Sequence, residues 1–184
     1  MRLENKIAVV TGGGSGFGTG IAERFAQEGA ALVIADINMD AAEDTASRLN
    51  GMPVQADVSR NDDMAALAAA VMDRHGRIDI FVNNAGITHL PTPMDEIEEA
   101  EFERVLMVNT KSVYLSARHV VPVMKRQESG VILNIASTAG VSPRPNLSWY
   151  NATKGWMITA TKSCLLYTSP SPRDRSLSRM PSSA

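Results

Sequence analysis

Short, nearly unbroken apolar runs alternate along this chain with stretches of helical spacing. Residues 6–11 (KIAVVT) and 31–36 (ALVIAD) are rich in β-branched side chains and end at glycine or aspartate, which marks them as buried strands. Residues 53–56 form a short third strand, 78–82 a fourth and 131–136 a fifth. Between them, residues 18–27 place Ile21, Ala22, Phe25 and Ala26 on one side of a helix. Alanine-rich helices are predicted at 39–49 and 61–75, a long helix at about 99–126, and a last one from Trp149 to residue 163. Strands alternating with helices imply parallel pairing through right-handed crossovers. Apolar runs without polar alternation imply a sheet covered on both faces.

The periodicity ends at Cys164. From there to Ala184, Ser, Pro and Arg supply twelve of twenty-one residues, a composition that reads as disordered. The predicted division is therefore a domain over 1–163 and a tail over 164–184. With 184 residues, 44% of them hydrophobic and 21% charged, the chain has the makings of one soluble globular domain. A net charge of −2 without a basic block gives no reason to expect nucleic acid or an anionic membrane as partner. No run approaches the length needed to span a bilayer, and no secretory leader pattern opens the sequence. The single cysteine, Cys164, excludes an intramolecular disulfide and fits a reducing, cytoplasmic setting. His75, His89 and His119 form no metal or triad pattern, so no metal is expected. His89, just before Pro91, could contact a substrate.

Candidate chemistry begins at Thr11-Gly12-Gly13-Gly14-Ser15-Gly16-Phe17-Gly18, between the first strand and the first helix. Glycines there permit a tight turn and let a pyrophosphate approach backbone N–H groups at a helix N-terminus. The alternative is a plain flexible turn. A triphosphatase-type loop is disfavoured because no Gly-Lys-Ser/Thr follows. Asp36 ends the second strand eighteen residues after Gly18, where a carboxylate can accept from both ribose hydroxyls of an adenosine and repel a 2′-phosphate. It could instead cap the following helix. Tyr150 and Lys154 stand four residues apart and share a helix face, with Ser137 thirteen residues upstream of the tyrosine. An ammonium beside a phenol favours the phenolate, which equips Tyr150 to exchange a proton near neutral pH, and a serine hydroxyl alongside could hold a substrate oxygen. Ser137 lacks the Gly-x-Ser-x-Gly setting of a hydrolase nucleophile. Residues 141–149, between serine and tyrosine, read as one wall of a substrate pocket or as a surface loop.

Taken together, Gly12, Gly16 and Gly18, then Asp57, Asn83-Asn84-Ala85-Gly86, Asn109, Ser137, Tyr150 and Lys154 resemble the compact single-domain branch of the short-chain dehydrogenase/reductases. The resemblance covers about residues 1–163. It implies a Rossmann-type doubly wound parallel sheet in three layers, α/β/α, and hydride transfer between NAD, less readily NADP, and an alcohol or ketone carbon. It implies that Gly12, Gly16 and Gly18, with Ser15 and Phe17, line the cofactor phosphates. Asp57 would meet the adenine amino group, or else cap a helix. Val58, Asn83, Ala85 and Gly86 would border the cofactor, and Asn84 would brace the central strands. Asn109, a poor helix former whose spacing alone suggests a kink, would hold a water in a proton relay. Tyr150 would be the acid/base, Lys154 would bind the nicotinamide ribose, and Ser137 would orient the substrate. A homodimer or homotetramer is implied, formed through the helices at 99–126 and 149–163.

The family pattern continues past the lysine into further strands and helices that have no match here. Residues 164–174 resemble a translated frame of a transposon-end sequencing adapter. The sequence therefore reads as a truncated chain with a non-native tail, lacking the family's last strands. An apolar edge at 131–136 is then expected to make it unstable and catalytically poor. The alternative to an active enzyme is a cofactor-binding fragment without turnover.

Overall fold

The computed structural model describes residues 1–168. Five strands form one parallel sheet in the order β3-β2-β1-β4-β5, where β1 is Ile7–Thr11, β2 Ala31–Asp36, β3 Met52–Gln55, β4 Ile80–Asn83 and β5 Val131–Asn134. The intervening helices are α1 (Gly16–Gln27), α2 (Met39–Leu49), α3 (Asn61–His75), α4 (Glu99–Leu106), α5 (Ser112–Gln127) and α6 (Ser148–Thr168). This is the doubly wound, Rossmann-like α/β architecture the alternating pattern predicts. Among the described residues, no helix is long and apolar enough to cross a membrane.

The two-residue period of the strands divides the core between the two faces of the sheet. Val9, Val33 and Phe81 point to one face and pack with Leu67 and Val71 of α3 and Leu115 and Val120 of α5. Their neighbours Ala8, Val10, Ile34 and Val82 point to the other and meet Ala22 of α1 and Ala42 and Ala46 of α2. Small alanines on α1 and α2 let those helices approach the sheet closely.

Several element ends shift by one or two residues, β5 for instance closing at Asn134 rather than 136, and three differences have a local reason. The helix expected at 99–126 is interrupted by a π turn, Met107–Lys111, which joins α4 to α5 and buries Asn109 completely. Strand β4 starts at Ile80 rather than 78, because Asp79 serves as a clamp below it. Helix α6 continues to Thr168, past Cys164, where windowed composition is already diluted by the Ser/Pro/Arg content further on. The rest of the predicted tail, 169–184, lies outside the described residues. Strand β5 is the outer strand of the five, and its Val131 and Leu133 are exposed.

Asp79 ties three elements together at the lower end of the sheet. Its Oδ2 accepts from Ile7 N at 3.0 Å, and Arg77 Nε and Nη2 reach its two oxygens at 2.9 and 2.6 Å. Its own N–H donates to Ile7 O, and its carbonyl accepts from Val131 N. Burial pushes the carboxyl's pKa up, but Arg77 and the Ile7 N–H outweigh it, so the group sits below its usual value. Asp79→Ala is expected to lower stability by about 1–3 kcal/mol, since Ile7 N–H loses its acceptor. The carboxylate's contribution is complete above its unfolded pKa of about 4 and is lost as pH falls below it. Thermal melts of both proteins between pH 7 and pH 3 check this: the gap between them is expected to narrow only on the acid side.

Candidate active site

The sheet order reverses at β1. The chain leaves it toward β2 and β3, then crosses back to β4 and β5, so a crevice opens at the carboxyl ends of β1 and β4. The glycine turn fills its floor. A Cβ on Gly18 would lie 2.0 Å from Gly12 O, so only glycine fits there. Gly16 has φ +54°, and nothing lies within 4 Å of where its side chain would project. Ser15 precedes α1 in an extended conformation with no side-chain cap, and the first turn carries no acidic residue. The first N–H groups of α1 are thus left for an outside acceptor beside open space. Ser15, Gly16 and Phe17 are exposed. These features fit a pyrophosphate.

Neighbouring residues hold the turn rigidly. Asn84 Nδ2 donates to Thr11 O (2.9 Å) and Gly12 O (3.0 Å), while Thr11 Oγ1 donates to Val82 O and accepts from Asn84 N and Ala85 N. Asp36 Oδ2 accepts from Gly14 N at 3.0 Å and Oδ1 from Asn38 N at 3.0 Å. Helix α2 is capped by Asn38, whose Oδ1 accepts from Ala41 N, so Asp36 is not the cap. Each Asp36 oxygen keeps capacity for a further donor. Asp57 does not cap α3 either. Its Oδ1 accepts from Ser59 N and Oγ, and the helix starts after Arg60. The Val58 side chain is buried in the core with Met64 and Leu67, which leaves its main chain as the part able to meet a ligand.

Asn83 is placed differently from a cofactor contact made by its side chain. Its amide donates to Asn134 Oδ1 (2.7 Å) across β4 and β5, and Asn134 Nδ2 donates on to Thr161 Oγ1 of α6 (2.8 Å). Ala85 is half-buried and Gly86 exposed at the crevice. A Cβ on Gly86 would stand 3.4 Å from both Asn109 Oδ1 and Lys154 Nζ, which marks where these side chains converge.

Helix α6 carries Tyr150 in its first turn and Lys154 one turn later. Lys154 Nζ lies 5.9 Å from the Tyr150 ring centroid and donates to Ile135 O at 2.9 Å, just beyond β5. The lysine is only 5% exposed, and burial pushes its pKa down. The Tyr150 hydroxyl has no hydrogen-bond partner among the described residues. Ser137 begins a 3₁₀ turn, Thr138–Gly140, that packs against α6. A Cβ on Gly140 would come within 2.6 Å of the Lys154 carbonyl carbon. Ser137 Oγ accepts from Ala139 N, leaving its proton for another acceptor.

The amide of Asn109 is committed to protein partners: Ile87 N donates to Oδ1 (2.9 Å), while Nδ2 donates to Ile87 O (2.8 Å) and Thr153 Oγ1 (3.1 Å). Its Oδ1 accepts a single bond and keeps a second lone pair, to which a water could donate. His89 is buried, with Nδ1 on Leu90 O and Nε2 sealed away without a partner, so it does not face a substrate. The segment around it is pinned to the 141–149 stretch by Thr92 N to Asn146 O and by Trp149 Nε1 to Met94 O. A cavity of about 190 Å³ between α4 and α6 is lined by Phe102, Leu106, Trp149 and Trp156, and by none of Ser137, Tyr150 or Lys154. Sequence reasoning placed Thr11 at the head of the glycine motif without giving it a role, and missed Asn134 and Thr153, small polar residues that carry no spacing signal of their own.

Comparison with known proteins agrees with this fold. A model of the short chain dehydrogenase family matches residues 6–170. The 4-formylbenzenesulfonate dehydrogenase of Comamonas testosteroni is 44% identical over 171 residues, which cover 90% of this chain and 68% of that protein. A 3-ketoacyl-(acyl-carrier-protein) reductase from Brucella melitensis, solved with NADH, superposes with a TM-score of 0.88 at 44% identity, over 91% of this chain and 72% of its own. An NAD+-bound xylitol dehydrogenase superposes at 0.87 with 30% identity, over 92% and 67%. The chain thus spans about two thirds of the length of the proteins it matches.

Proposed function

The chain belongs to the short-chain dehydrogenase family of oxidoreductases, and on that premise we propose that it transfers hydride between NAD(H) and the carbon of an alcohol or ketone, with Tyr150 as acid/base. The observation that carries this reading is the pairing of Tyr150 with a buried lysine fixed on the Ile135 carbonyl, beside a glycine turn that fits a pyrophosphate. When bound, the nicotinamide supplies the hydride chemistry. The protein supplies position and a proton. Ser137 Oγ–H donates to the substrate oxygen, and the Tyr150 hydroxyl gives that oxygen its proton, or takes it in the reverse direction. Lys154 brings a positive charge within 5.9 Å of the Tyr150 ring centroid and is itself fixed on Ile135 O. Gly12, Gly16 and Gly18 seat the phosphates, and Asp36 accepts from the adenosine ribose.

A second reading, cofactor binding without turnover, rests on the outer strand β5, whose exposed Val131 and Leu133 leave an apolar edge beside Ser137. Homo-oligomers are proposed through α4, α5 and α6, where Leu106, Met107, Tyr114 and Trp156 are exposed. Light scattering on the purified chain is expected to give a dimer or tetramer, and a monomer at micromolar concentration would exclude that assembly.

NAD is preferred because Asp36, which has no ion pair among the described residues, would meet a 2′-phosphate with like charge. The relatives solved with NADH and NAD+ point the same way. Asp36→Arg is expected to raise NADPH affinity about tenfold or more, equivalent to ~1.4 kcal/mol. Equal NADPH binding by variant and parent, measured by nucleotide fluorescence, would sink the assignment.

Tyr150→Phe is expected to cut turnover by about a hundredfold or more while leaving NADH affinity within about twofold. Near-normal rates in the variant would mean another group moves the proton. A parent chain that binds NADH yet turns over none of a panel of secondary alcohols and ketones would favour the second reading.

A further inference from the structure

Several hydroxyls bond back to their own helix, as Ser112 does to Val108 O and Ser116 to Val113 O, a common and inert arrangement. Two threonines of α6 do more. Thr161 Oγ1 donates to Met157 O and accepts from Asn134 Nδ2 of β5. Thr153 Oγ1 donates to Tyr150 O at 2.7 Å and accepts from Asn109 Nδ2 at 3.1 Å. Thr153 is 4% exposed, and Asn109 not at all. The polarity of this chain of bonds is fixed. Ile87 N can only donate, so Asn109 must present Oδ1 to it and Nδ2 to the threonine. The hydroxyl has one proton, already given to Tyr150 O, and therefore accepts.

We propose that Thr153 is a positioning residue for the hydride-transfer reaction. Its hydroxyl fastens the turn of α6 that carries Tyr150 to the π turn, and through Asn109 to Ile87, which follows Gly86 at the mouth of the crevice. Tyr150, Lys154 and the cofactor edge are thereby held in one frame. The backbone of Tyr150 is gripped at its own carbonyl, so the ring's distance from anything seated on Ala85 and Gly86 depends on a path only two side chains long. The α4–π–α5 break is what makes the path available: the wide turn presents Asn109 to both partners. This inference rests on the reading of Tyr150 as acid/base.

The test compares Thr153→Val, Thr153→Ser and Thr161→Val in the full chain. Thr161→Val removes the same bond type from α6 more than two turns further along, and so reports the purely structural cost. Thr153→Val is expected to lower kcat about tenfold with KM for NADH within about twofold, because small displacements of a reacting group are costly. Thr153→Ser is expected to recover kcat to within about twofold of the parent. Thr161→Val is expected to lower the melting temperature while keeping kcat near the parent value. Parent-like kcat in Thr153→Val, an equal loss in Thr161→Val, or no recovery by serine would each overturn the proposal. If the parent itself shows no turnover, the functional reading has failed, and the clasp is then judged by hydrogen exchange. The Ile87 amide is expected to exchange about tenfold faster in Thr153→Val, and unchanged exchange would overturn the clasp.

Discussion

Beyond the carboxyl ends of the paired strands β1 and β4 the connecting segments have to part, because the chain runs outward from β1 in one direction and returns to build in the other. Thr11 and Asn84 hold the two strands at the point of parting. A single threonine hydroxyl bonds Val82 O, Asn84 N and Ala85 N, and the Asn84 amide takes the carbonyls of Thr11 and Gly12. With those bonds made, the glycine turn has one conformation and the crevice has fixed walls. Without them the turn would be the flexible loop its composition suggests, and ordering it would fall to the ligand. The placement of Gly18 against Gly12 O, of Gly14 against Asp36 and of Ala85 beside the crevice all follow from that fastening.

A second constraint lies across the crevice. Lys154 is a cation placed where burial works against its charge, with one carbonyl as its hydrogen-bond partner. A hydrophobic side chain of similar length would cost the fold less. The proposed reaction gives the position a purpose, since it sets a positive charge 5.9 Å from the Tyr150 ring centroid. The polar chain from Asn83 of β4 through Asn134 of β5 to Thr161 anchors the same helix to two strands and offsets part of that cost.

Much of this was legible in the residues. Strand β2 ends at the Asp36 that closes an apolar run, and helices α2 and α3 keep the bounds their periodicity gives, 39–49 and 61–75, though the cap of α2 is Asn38 and not Asp36. Spacing and the weak helix propensity of Asn109 suggested a kink there, but not that it would take the form of a π turn, Met107–Lys111. Partnerships were harder still. Asn83 reads as a crevice residue, yet its amide is taken by Asn134, fifty-one positions later. His89 reads as a loop histidine near substrate, yet it is buried, with Nδ1 on Leu90 O and Nε2 without a partner. Spacing reports which face a side chain is on; which distant amide will claim it depends on packing that no local window contains.

The sheet order also fixes a sequence of events in time. Strand β1 finds β2 early, since their partners are close in the chain, as Ile7 and Ala31 are. Its other neighbour, β4, arrives much later: the Thr11–Asn84 bonds join residues 73 apart. On a ribosome, the glycine turn therefore leaves the exit tunnel long before the asparagine that fastens it exists. During that interval β1 has one bare edge and the turn has no floor, so the nascent chain cannot hold a dinucleotide there however complete its N-terminal motif looks. Competence to bind arrives with the chain's fourth strand, as a single long-range closure whose loop entropy slows it relative to the local helices.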